Sequence, residues 1–115
     1  MLETLFGSES AARVLLFVYG RGEGYARQMA QFFDTALRPI QRQLEKFEAA
    51  GVLYSRRVGR TRLYAFNPRC PLVEELRALL GKALSLYPEG TRDALLMNRR
   101  RPRRPDMPCE AAPAG

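Results

Sequence analysis

A mainly helical α+β fold is predicted from three observations on this 115-residue chain. Apolar residues recur at three- and four-residue spacing in separate stretches, which is the period of amphipathic helices. Two of those stretches, Tyr25 to about Phe33 and Ala36 to Ala50, are separated by only Asp34-Thr35. Directly afterwards, Val52–Arg57 and Thr61–Phe66 read as strands around Val58-Gly59-Arg60, a hairpin signal. Helix, tight turn, helix and hairpin in that order outline a winged helix-turn-helix. The full expectation is a three-helix core, a two-stranded wing and a C-terminal helix.

Each element has its own signals. Ser8 or Ser10 can cap a first helix that runs to about Tyr19, with Ala11, Val14, Leu15 and Val18 on its apolar face. Gly20-Arg21-Gly22-Glu23-Gly24 breaks that helix, because three glycines in five residues make a loop. The second helix buries Met29, Ala30 and Phe33, and the third buries Leu37, Ile40, Leu44 and Phe47. Pro39 falls near the start of the third helix, where the missing N–H costs little. Gly51 ends it at a position that favours a left-handed residue. Asn67-Pro68 closes the second strand. A last helix spans about Leu72 to Leu86, with Val73, Leu76, Leu80 and Leu84 (also Leu79) as its stripe.

A domain boundary is expected near residue 88, giving a folded unit over 1–88. Residues 89–115, with Arg99-Arg100-Arg101-Pro102-Arg103-Arg104 at their centre, are expected to form a disordered basic tail. That arginine cluster is either an arm for nucleic acid or a solvated terminus.

Composition narrows the function classes. Net charge is +7 and the sequence pI is about 10.1, which favours a polyanionic partner. There is no histidine, so the usual general base and the commonest metal ligand are missing. Glu74 and Glu75 are adjacent on a helix and diverge by about 100°, so they cannot act on one centre. No glycine-rich phosphate motif follows a strand. Neither an enzyme, a metal site nor a cofactor is expected. Cys70 and Cys109 form no CxxC, and the start of the chain has no basic segment ahead of a long apolar run. A reducing cytoplasm is therefore the expected location, with no membrane partner.

Two constellations bear on nucleic acid. On the third helix, Arg38, Gln41, Arg42 and Glu45 face away from the apolar stripe. Arginine and glutamine suit bidentate contacts with guanine and adenine edges. An ordinary solvated helix face carries the same residue types, so the helix alone leaves both readings open. At the hairpin, Arg56, Arg57, Arg60 and Arg62 lie within seven residues with no acidic residue between them. Like charges repel across paired strands, so such a cluster makes sense when phosphates neutralise it. A charged edge that resists aggregation is the alternative. Arg27, at the start of the second helix, and Thr35, in the turn, are further candidates for backbone contacts. Tyr25, Tyr54 and Tyr64 are either packing residues or platforms for base stacking.

These residues together resemble a known family. The matching text includes Leu5-Phe6-Gly7-Ser8, Arg13-Val14-Leu15 and Tyr25-Ala26-Arg27-Gln28-Met29-Ala30. It continues through Ile40-Gln41-Arg42-Gln43-Leu44-Glu45-Lys46-Phe47-Glu48-Ala49-Ala50-Gly51-Val52-Leu53, Arg56-Arg57-Val58-Gly59-Arg60 and Leu63-Tyr64-Ala65-Phe66-Asn67-Pro68. Cys70-Pro71-Leu72, Glu75-Leu76 and Leu79 complete it. The chain is similar to ArsR-like winged-helix transcriptional regulators, most of all to the small winged-helix domains associated with nucleotidyltransferases.

The resemblance implies a DNA-binding regulator that works as a homodimer, with Gln41 and Arg42 on the recognition helix and Arg56 to Arg62 on the wing. Asp34 stands where the family has its turn glycine and Ala36 where it has its serine cap, so capping is expected from Asp34 or Thr35. The Cys-x-Cys motif of metal-sensing members is absent. The expected function is that of a repressor occupying double-stranded operator DNA. Val73, Leu76, Leu80 and Leu84 are the expected dimer contact, with the first helix as a further candidate; the alternative is that this stripe caps the core of the protomer itself. The alternative is a protein-interaction adaptor, or an antitoxin-like partner, for a separately encoded nucleotidyltransferase. RNA binding is a third option.

Overall fold

The computed structural model describes residues 1–100, with side chains described through residue 96. Six helices and one antiparallel hairpin follow in the order α1 (Leu2–Phe6), α2 (Glu9–Arg21), α3 (Ala26–Phe33), α4 (Leu37–Ala49), β1 (Leu53–Val58), β2 (Thr61–Phe66), α5 (Val73–Ser85) and α6 (Glu89–Arg100). This is the mainly helical winged-helix architecture that the sequence predicts.

Helix α2 is the axis of the molecule. Ser8 caps it, its Oγ accepting from the Ala11 N–H at 3.0 Å. Beyond the four apolar positions expected from the sequence, Leu16 and Phe17 are also buried. A helix that is apolar on nearly all sides must be surrounded. Here α1, α3, α4, α5, α6 and β2 all pack on it. Phe17 meets Phe32 and Phe33 edge-on, with centroids 5.7 and 6.5 Å away, the arrangement that aromatic quadrupoles favour.

The turn between α3 and α4 differs from expectation. Asp34 does not cap α4. It ends α3 in the left-handed region, at φ 54° and ψ 55°. Aspartate tolerates that region better than most residues, which is why it can replace glycine there. Thr35 donates its N–H to the Ala30 carbonyl at 2.9 Å, completing the turn. Ala36 takes the N-cap position of α4 and offers no side-chain acceptor. At the far end of α4, the Asn67 amide donates to the Gly51 carbonyl at 3.0 Å and pins the exit of β2 to the helix terminus.

Strands β1 and β2 pair from Leu53–Phe66 at the base to Val58–Thr61 at the tip. Gly59 turns the chain at φ 62°, where a residue without Cβ is unstrained. The loop before α3 adds a bridge that the sequence reading did not contain. Gly24 and Tyr64 exchange two backbone hydrogen bonds of 3.0 and 2.8 Å.

Two expectations are corrected. The folded unit does not stop at residue 88. Helix α6 begins at Glu89 and places Leu95 at 0% exposure against Gly20. The Arg21 guanidinium stacks over Phe17 and Phe32 and donates to the carbonyls of Leu95 and Ala94, at 2.9 and 3.1 Å. That burial lowers its pKa from the ordinary arginine value. The part of the expected tail from residue 101 onward lies outside the described residues.

The second correction concerns the expected dimer contact. Val73, Leu80 and Leu84 are buried in the core of the same chain, and Leu76 packs half-buried against it. That stripe is consumed within the protomer.

Candidate nucleic-acid interface

Helix α4 presents Arg38, Gln41, Arg42 and Glu45 on one exposed face. The spacing i, i+3, i+4, i+7 puts them on neighbouring turns of one side, while Ile40 and Leu44 anchor the opposite side at 0% and 1% exposure. The four polar residues line a shallow depression of about 310 Å³.

A larger cleft of about 550 Å³ opens between α4, the start of α3 and the wing. It brings together Arg27, Gln41, Glu45, Arg60 and Arg62, with Tyr25 and Tyr64 in its wall. Gln41 and Glu45 border both depressions, so the helix face and the cleft adjoin. Among the predicted residues, Arg38 and Arg42 line only the first depression, and Thr35, Arg56 and Arg57 line neither. Tyr64 is buried and belongs to the wall rather than to a stacking platform, whereas Tyr54 is exposed. Burial is the first cause that raises the Tyr64 hydroxyl pKa above its ordinary value, followed by the Glu48 carboxylate.

The pleat of the hairpin sorts the arginines. Residues 53, 55 and 57 share a face with 62, 64 and 66. This is the face turned to α4, because the Ser55 hydroxyl donates to Glu48 of that helix. Arg62 in turn donates to the Ser55 Oγ at 3.1 Å. At the tip the same face sets Arg57 directly opposite Arg62, two like charges as cross-strand partners, a pairing that is unfavourable without a counter-ion.

The other face carries Arg56, which meets Glu23 of the loop before α3 at 3.0 Å. The sequence reading found no acid within the cluster, but the fold supplies one from 33 residues away. Among the described residues, the Arg57 and Arg60 side chains have no hydrogen-bonded or ion-paired partner.

The tethers Glu48 and Glu23, and the Gly24 bridge that fixes the wing, escaped sequence reasoning. A single-residue bridge has no periodicity, and an ion pair across a loop leaves no spacing to detect. Among the described residues no three His, Cys, Asp or Glu side chains cluster as a metal would need, and no helix is long and apolar enough to cross a membrane.

No protein-family model matches the chain, and no curated protein matches it. One solved structure does. The chain is similar to a doubly substituted variant of ZitR from Lactococcus lactis in its apo form, with a TM-score of 0.52 at 13% identity, covering 82% of this chain and 80% of that one. At this identity the likeness establishes the winged-helix fold.

Proposed function

We propose that this protein is a sequence-specific, double-stranded-DNA-binding transcriptional regulator of the ArsR-like kind, a cytoplasmic repressor that acts as a homodimer. The observation that carries the reading is the cleft in which Arg27, Arg60 and Arg62 gather around the exposed Gln41 and Glu45 of α4. A helix in the major groove, flanked by cations at the level of the phosphates, is the geometry by which helix-turn-helix proteins dock. The winged-helix fold shared with ZitR supports it.

Roles divide by exposure and tethering. Gln41 and Arg42 project to base edges, with Arg38 beside them, while Glu45 accepts from a cytosine amino group. Arg57 and Arg60 are the free cations of the wing and bind phosphates. Arg27 reaches the backbone from the start of α3. Arg62 and Arg56 are held by Ser55 and Glu23, so they set the direction of the hairpin as well as its charge.

Fluorescence anisotropy with duplexes from the gene's own upstream region, across a salt series and with competitor RNA, tests the assignment. Joint replacement of Arg57 and Arg60 by alanine should weaken binding to every duplex and lower the salt slope by about two. Arg42→Ala should cost about 1–3 kcal/mol on the preferred duplex and little on random DNA. Duplex binding that ignores the wing pair at all salt concentrations, or yields equally to RNA, would overturn the reading.

A further inference from the structure

A chain of two hydrogen bonds joins α4 to both strands of the wing. The half-buried Glu48, on α4, accepts the Ser55 hydroxyl proton at 2.5 Å, the length of a charge-assisted bond to a carboxylate. A hydroxyl has one hydrogen and two lone pairs. With its hydrogen committed to Glu48, the Ser55 Oγ turns a lone pair to Arg62 and accepts from its Nη2-bearing guanidinium, through Nη1, at 3.1 Å. Ser55 is on β1 and Arg62 on β2, so three elements are linked through one oxygen. Among the described residues, Arg62 makes no direct ion pair with Glu48; the hydroxyl stands between them. The Tyr64 phenol lies across from Ser55 on the neighbouring strand. Burial raises its pKa first, Glu48 raises it further and Arg62 opposes. Both ends of the chain therefore act on one stretch of the cleft wall.

We infer that Glu48 and Ser55 are positioning residues that aim Arg62, and that Arg62 holds the phosphate which sets the register of α4 on the DNA. The inference rests on the DNA-binding reading above and assigns the specificity of that same surface. An arginine gives up rotamer freedom when it docks. Arg62 has given up part of it before DNA arrives, and only one of its five side-chain N–H donors is spent on Ser55. The rest stay available in the cleft that it shares with Gln41 and Glu45 of α4. Glu48 lies one turn beyond Glu45 and two beyond Gln41, so Arg62 is held relative to the helix whose side chains meet the bases. Arg57 and Arg60 have no such tether and bind phosphates in whatever register the duplex offers. A phosphate contact fixed relative to α4 favours one register, that in which Gln41 and Arg42 face their bases. Bare charge predicts the opposite effect for Glu48, since a carboxylate beside the cleft repels phosphate.

Anisotropy titrations of the full chain test this with two duplexes of equal length, the upstream duplex that the wild type binds best and a shuffled version of it. Circular dichroism and urea midpoints confirm that each variant folds. Arg62→Ala, at an exposed position, should cut the affinity ratio between the two duplexes about tenfold. Ser55→Ala changes no charge and should lower the ratio by a similar factor. Glu48→Ala should do the same, although loss of a negative charge by itself would tighten both duplexes. Glu48→Gln and Ser55→Thr keep the acceptor and the hydroxyl, and should recover most of the ratio. In an Arg62→Ala background, neither Ser55→Ala nor Glu48→Ala should lower the ratio further. A wild type that discriminates while the variants keep its ratio overturns the positioning role and leaves the DNA reading standing. So do losses that simply add to that of Arg62→Ala, or a Glu48→Ala variant that tightens both duplexes alike. A wild type that binds neither duplex, or both equally, overturns the sequence-specific reading and the positioning role with it.

Discussion

Gly24 sits where a side chain would collide with the core. A Cβ there would lie 2.6 Å from a ring carbon of Phe17 and 3.2 Å from the Gln28 side-chain oxygen. Phe17 is fully buried against Phe32 and Phe33 and has little room to turn. Gly24 also holds the wing through its two hydrogen bonds to Tyr64. Gly24→Ala should therefore destabilise the fold by about 1–3 kcal/mol, seen as a lower urea midpoint with an unchanged slope. An unchanged midpoint would mean that the Phe17 ring can move aside. At this scale the sequence was partly legible. The outward position of Gln41 and Arg42 follows from helical period alone, because Ile40 and Leu44 must face in. The tethering of Arg56 by Glu23, 33 residues away, does not, and that of Arg62 by Ser55 depends on which residues of the hairpin are paired.

Among the elements, α6 departs most from what the sequence suggests. Its apolar content is small, and it leads into an arginine-rich stretch, so composition reads it as tail. Yet a helix needs only a foothold when a packed neighbour offers one. Leu95 supplies it against Gly20, and Arg21 adds two hydrogen bonds to helix carbonyls. Leu95→Ala should cost about 2–5 kcal/mol in urea unfolding, where a solvated tail residue would cost nothing measurable. Helix α5 shows the converse. Its apolar stripe was evident, but a leucine-rich helix has more than one apolar face. Only packing decides that Val73, Leu80 and Leu84 turn inward while Leu72, Leu79 and Leu86 remain outside.

Across the whole molecule, stability at high pH depends on two tyrosines held by different ends of the fold. Burial is the first cause that raises the pKa of both Tyr64, beneath the wing, and Tyr87, at the end of α5. A folded pKa above the unfolded value of 10.0 means that the unfolded chain loses these protons first. Their contribution is then complete below pH 10.0 and is lost as pH rises through the folded values. Thermal unfolding across alkaline pH should show Tm falling above that point, and Tyr64→Phe should flatten the fall. An equally steep fall in the variant would place the titrating group elsewhere.

The sequence by itself determined the order of α2, α3, α4, the two strands and α5, the hairpin turn around Gly59 and the outward face of α4. Each of these is local, written in apolar period, caps and turn residues that act over a few positions. The tertiary structure decided which side of α5 the core consumes, that α6 belongs to the domain, and which wing arginines stay free. Those outcomes depend on contacts between residues far apart in the chain, such as Arg21 with Leu95 and Glu23 with Arg56, and no local pattern encodes which distant partner will arrive.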